Sequence, residues 1–282
     1  LPMKPAPFEY CRPDTLDEAL ALLTEFGDDA LVMSGGLSLG ALLNMRMVRP
    51  EAVIDINRIA QLSQIEVVSD EIRIGALARQ ADVIASPDCQ AAVPLLIEGL
   101  KNIGHYQTRS RGTVGGSVAH ADPSAETPLC LTTLGGEIEL TSARGVRRAK
   151  PEDFFVGALM TEREDDEMVS ALILPVSPPG TSIGFKEINE RYGDFAIVAA
   201  AAWATRDGAG FRYSLGLGGA EDRPFAVQGN TSNNTSAILE AVAEIVRDIE
   251  PLDDQRASAS YRRHLASYLG GRVLQQAIEA AA

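Results

Sequence analysis

The stretch Pro175-Val-Ser-Pro-Pro-Gly180 is the strongest constraint on what this chain can fold into. Proline has no N–H to donate and its ring clashes with the preceding helical turn, so neither a helix nor a central strand can run through it. The 282 residues therefore divide there, into 1–176 and 177–282. That length is also more typical of two domains than of one.

The apolar fraction, 45%, is enough for a buried core in each part. Lys and Arg number 25 against 39 Asp and Glu, a net charge of −14. Nucleic-acid binding needs clustered cations on phosphates, so that class is excluded. The three cysteines, Cys11, Cys89 and Cys130, are scattered and form no CxxC, so no iron–sulfur or zinc site is expected in this chain. The absence of a disulfide pattern, of an apolar run of about 18 residues and of a basic-then-apolar leader predicts a soluble, cytoplasmic protein.

Local patterns predict an α+β content in both parts. Thr15 followed by Glu18 is a capping box, and Leu16, Ala19, Leu20 and Leu23 recur at helical spacing before Gly27. Leu31–Met33 and Ala52–Ile56 read as strands; 65–68 with 71–77, and 137–141 with 146–149, read as hairpins. Helices are predicted over 79–85, 90–99 and 127–134, a strand-like unit from 115 to 119, and a last strand over 168–174. Beyond the proline stretch, three strands (182–191, 195–206, 210–218) precede helices over 236–249 and 257–281, with a short helix near 222–228.

Two turns carry paired glycines with hydroxyls, Ser34-Gly35-Gly36-Leu37-Ser38 and Thr113-Val114-Gly115-Gly116-Ser117. Without Cβ atoms, consecutive N–H groups can point into one concavity and hold an anion such as a diphosphate. Either pair alone is equally a tight turn, and neither fits GxGxxG or a P-loop. His105, His120 and His264 have no metal spacing; His264 reads as a solvated helix residue, and His120 as either ligand-facing or structural. Asp122 and Glu126 suit sugar-type hydroxyls or a helix start. Lys186, Arg191, Tyr192 and Asp194 suit an electron-rich ring or a charged hairpin edge.

Taken together, these residues resemble the FAD-binding medium subunit of molybdenum hydroxylases, of the aerobic carbon monoxide dehydrogenase and xanthine dehydrogenase type. The matches are Ser34-Gly-Gly-Leu-Ser-Leu39 with Arg46, Arg49-Pro50 and Val53-Ile-Asp-Ile-Asn57; then Ile103, His105, Gln107, Arg109 and Gly112-Thr-Val-Gly-Gly-Ser-Val-Ala-His-Ala-Asp-Pro-Ser-Ala-Glu126; then Lys186, Arg191 and Asp194-Phe195-Ala196. The resemblance implies a vanillyl-alcohol-oxidase-type FAD-binding domain of two α/β subdomains (about 1–57 and 58–176), followed by a three-stranded antiparallel sheet with a helix bundle. It makes Ser34–Ser38 and Thr113–Ser117 the diphosphate loops, flanked by Val32, Met33 and Leu39. Ile103, Asp122, Glu126 and Val169 would line the cofactor, Lys186 and Tyr192 would lie near the isoalloxazine, and His120 would be close by without a covalent bond. Leu37 and Ser34 depart from the family's AGGxSL pattern, in which a polar residue and Ala are usual.

The resemblance further implies a molybdenum cofactor on a large partner subunit and two [2Fe–2S] clusters on a small one, assembled as a dimer of heterotrimers. Electrons would reach FAD here and leave to NAD, quinone or oxygen. No catalytic residue and no metal is expected in this chain. A self-sufficient flavoenzyme and a scaffold subunit that has lost FAD are the competing readings. The first would oxidise a substrate alone; the second would stay colourless with FAD.

Overall fold

A computed structural model describes residues 4–282. It opens with β1 (Glu9–Cys11), α1 (Leu16–Phe26), β2 (Ala30–Met33), α2 (Leu37–Asn44) and β3 (Ala52–Asp55). The strands form a parallel sheet in the order β1-β3-β2. Parallel neighbours need crossovers, and the two helices belong to them. The capping box is formed: Thr15 Oγ1 accepts from Glu18 N at 3.2 Å, and the Glu18 carboxylate accepts from Thr15 N. Ala19, Leu20 and Leu23 then bury against a core that includes Ile54.

The second stretch contains β4 (Ile65–Val68), β5 (Glu71–Gly75), α3 (Gln80–Ala85), α4 (Pro87–Ala92), α5 (Pro94–Asn102), α6 (Tyr106–Arg109), α7 (Val114–His120), α8 (Glu126–Leu134), β6 (Glu137–Ser142), β7 (Gly145–Ala149), α9 (Pro151–Phe154), a small hairpin β8 (Phe155–Gly157) and β9 (Met160–Thr161), and β10 (Met168–Pro175). Its antiparallel sheet runs β4-β5-β10-β6-β7, so both predicted hairpins flank the late strand. Two expectations are corrected. The region 115–119 is helical, because Thr113 caps α7 by accepting from Gly116 N at 3.1 Å. The single helix over 90–99 is two, because Pro94 disfavours helical backbone at Val93 (φ −136°, ψ 59°) and starts α5.

The third stretch has β11 (Ser182–Ile188), β12 (Val198–Asp207), β13 (Gly210–Gly218) and β14 (Phe225–Thr231), paired antiparallel in that order, then α10 (Thr235–Arg247) and α11 (Ala259–Ala281). The sheet thus has four strands rather than three, and the predicted short helix near 222–228 is mostly β14. Pro224 biases Arg223 toward extended backbone, Gly229 disfavours a helix, and the register Leu217↔Phe225 to Phe211↔Thr231 covers an otherwise open apolar edge. Both sheet faces are covered: α11 packs on one, and α5 and α8 on the other. Ala199–Ala202 are buried, and a Cβ at Gly184 would strike the Val273 backbone, so small residues let the helices come close.

Candidate functional site

The two glycine turns, far apart in sequence, touch. The first leads from β2 into α2, and the second leads into α7. Ser34 Oγ lies 3.0 Å from Thr113 Oγ1. A Cβ on Gly35 would overlap the Arg111 carbonyl, and one on Gly116 would stand 2.7 Å from both Ser34 Oγ and Thr113 Oγ1. Gly36 has φ +74°, which an L side chain resists. Gly115 is required for a different reason: its Cβ would strike Ala76, so this glycine lets α7 pack.

Around the loops, Val32 and Met33 end β2, and the Met33 thioether lies beside Gly36. Val114 is buried at the start of α7, while Ser117 is half-buried. Ser38 and Leu39 are half-buried on α2, but Leu37 is 46% exposed. Val169 is buried on β10, the strand on which α7 packs. His120 is half-buried at the end of α7, and His264 is exposed.

The structure also brings the third stretch to this end of the second. The Tyr192 ring sits 5.8 Å from that of His105, and Gly193 (φ +87°) packs closely on His105 and Gly104. Ile103, next to them, is half-buried, and its carbonyl accepts from Arg109. Lys186 is exposed on β11 and makes no hydrogen bond or ion pair among the described residues, so no direct contact joins it to the loops.

Asp122 holds an Asx-type turn by accepting from Ser124 N at 2.9 Å, whereas the N-cap of α8 is Ala125. Glu126 is only 4% exposed. Burial, with Glu187 and Asp122 nearby, pushes its carboxyl up to about 8. Burial pushes Glu187 up to about 7; Asn189 donates to its Oε1, and its Oε2 has no partner. Glu187 escaped the sequence reading because nothing local marks a charged strand residue as half-buried.

Sequence reasoning also missed a polar layer behind the loops. Asn57 Nδ2 donates to the Ser34 carbonyl at 2.7 Å and to Asp55 Oδ1 at 2.6 Å. Burial raises the Asp55 pKa, but hydrogen bonds from Tyr10 and Asn57 outweigh this and hold it below the usual value. Arg79 donates to Asn57 Oδ1 and to the Arg111 carbonyl, each at 2.5 Å.

Comparison with known proteins decides what these loops belong to. Residues 6–177 match the family model described as FAD binding domain in molybdopterin dehydrogenase, and residues 183–277 match the CO dehydrogenase flavoprotein C-terminal domain. The chain belongs to this flavoprotein family. It is 40% identical over 200 residues to the caffeine dehydrogenase subunit beta of a Pseudomonas species, covering 71% of this chain and 68% of that one. It is 32% identical to the carbon monoxide dehydrogenase medium chain of Afipia carboxidovorans, over 99% of this chain and 98% of that one. A solved carbon monoxide dehydrogenase structure from Hydrogenophaga pseudoflava superposes with a TM-score of 0.93 at 31% identity, covering 99% of both chains.

This chain is therefore a flavoprotein subunit of an oxidoreductase of the molybdenum hydroxylase type, with FAD as its cofactor. The residues fit that group. The seam between the loops is a cradle that a single added Cβ at Gly116 would narrow, and the Ser34 and Thr113 hydroxyls that meet across it are neutral groups suited to a diphosphate. Among the described residues, no helix is long and apolar enough to cross a membrane.

Proposed function

We propose that this flavoprotein is the electron-transfer subunit of a heteromeric molybdenum hydroxylase. It would accept electrons from [2Fe–2S] clusters of a small partner, beside a large molybdenum-cofactor subunit, and pass them to NAD, quinone or oxygen. FAD supplies the redox chemistry, and the chain supplies binding, orientation and electrostatics. Ser34–Ser38 holds the diphosphate by backbone N–H groups and hydroxyls, and Thr113–Ser117 by its hydroxyls, because the N–H groups of Val114, Gly115, Gly116 and Ser117 already donate within the chain. Ile103, Asp122, Glu126 and Val169 line the rest of the cofactor, and Lys186 and Tyr192 serve its ring end.

The observation that carries this reading is the direct contact of the two glycine loops, separated by 79 residues in sequence yet joined at 3.0 Å. The relatives' names, caffeine dehydrogenase and carbon monoxide dehydrogenase, differ in substrate. Such variety fits substrate chemistry that lies on another subunit. Titrating the purified chain with FAD tests the reading: one equivalent should bind and its fluorescence should change. A chain that takes up no flavin would overturn it.

A further inference from the structure

We propose that Asn57 and Arg79 form a brace that sets the spacing of the two glycine loops and thereby the affinity for the dinucleotide. The inference rests on the assignment of these loops to FAD. Asn57 follows β3 and reaches the first loop through Ser34 O at 2.7 Å. Its other amide atom accepts from Arg79 Nη2 at 2.5 Å. Arg79 belongs to the second loop on two counts. Its backbone pairs with Thr113, flanked by Gln80 N→Gly112 O and Val114 N→Ala78 O, and its Nη1 donates to Arg111 O at 2.5 Å. One amide and one guanidinium thus join both loops on the side of Asp55 and Tyr10.

Two further observations show that the brace is held in one geometry. Asp55 accepts from Tyr10, Asn57 N and Asn57 Nδ2, which fixes the Asn57 amide so that its oxygen faces Arg79. Arg79 is half-buried, and burial and the neighbouring Arg111 both disfavour its charge. Among the described residues neither arginine is ion-paired with a carboxylate. An unneutralised guanidinium held behind an anion cradle does two jobs: it fixes the spacing and adds positive potential where a diphosphate would sit.

The test is FAD affinity of the full-length chain, by fluorescence titration, for Arg79→Lys, Arg79→Ala, Asn57→Asp, Asn57→Ala and the double variant Asn57→Ala/Arg79→Ala. Lysine keeps the charge but lacks the planar fork that aims two donors at Asn57 Oδ1 and Arg111 O; aspartate keeps the acceptor for Arg79 but loses the donor to Ser34. Each should bind FAD about tenfold or more weakly, with unchanged far-ultraviolet circular dichroism. The double variant should lose less than the product of the single losses. Parent-like affinity of Arg79→Lys or Asn57→Asp overturns the brace alone. A parent chain that binds no FAD overturns the functional reading and the brace with it.

Discussion

Ser34 Oγ and Thr113 Oγ1 meet at 3.0 Å, so the serine that departs from the family's usual alanine makes the cross-loop hydrogen bond. Replacing it tests how much this bond adds to the glycine cradle. Ser34→Ala should keep FAD but lose up to about 1.5 kcal/mol, or roughly tenfold, in affinity. Isothermal titration reads this directly.

Gly116 is the most discriminating glycine. Gly116→Ala places a methyl 2.7 Å from both hydroxyls, so the Ser34–Thr113 contact must break or a loop must shift. FAD retention after purification should fall severely while the melting temperature of the flavin-free chain changes little. Gly115→Ala should instead destabilise the fold, because its methyl strikes Ala76. Comparing flavin content with thermal stability in the two variants separates the roles.

The buried Glu126 and half-buried Glu187 make stability depend on pH with a definite sign. Their folded values, about 8 and about 7, lie above the ordinary 4.5. Below 4.5 both are protonated whether folded or not, and their contribution is fully present. As pH rises toward 8 the unfolded chain ionises first, and that contribution is lost. The melting temperature should therefore fall between about pH 5 and pH 8. Glu126→Gln, which cannot ionise, should flatten that decline.

Lys186 is exposed on β11 and has no ion-pair partner among the described residues, so its charge is free to act on a nearby ring. Lys186→Ala should leave FAD bound but lower its reduction potential, because a cation favours the more negative reduced form. The shift is about 30 mV for each ~1.4 kcal/mol of lost stabilisation in a two-electron couple. A potentiometric titration with an unchanged midpoint would argue against a role at the ring.

What was legible in the sequence was local. Thr15 and Glu18 are three residues apart and cap each other, and Pro175 ends β10 where proline should. The glycine loops were legible because their chemistry is written in adjacent residues. The start of α2 was not, since Gly36 offers no capping side chain. Val114–His120 was misread because valines and glycines favour no helix until Thr113 caps them. The link between Asn57 and Arg79 carries no local signal: the partners that join them to the loops lie 22 to 32 residues away and meet only after the sheets form. Glu187 is half-buried on a strand that α5 packs against, a contact that nothing near it in the sequence announces.

The most direct test of the account is anaerobic flavin absorbance in the complex reconstituted from this chain and its large and small partners, after adding the large subunit's substrate. The account predicts that the flavin bleaches only when all three subunits are present and the small subunit keeps its clusters. Bleaching of the isolated chain by substrate, or none in the complete complex, would contradict it.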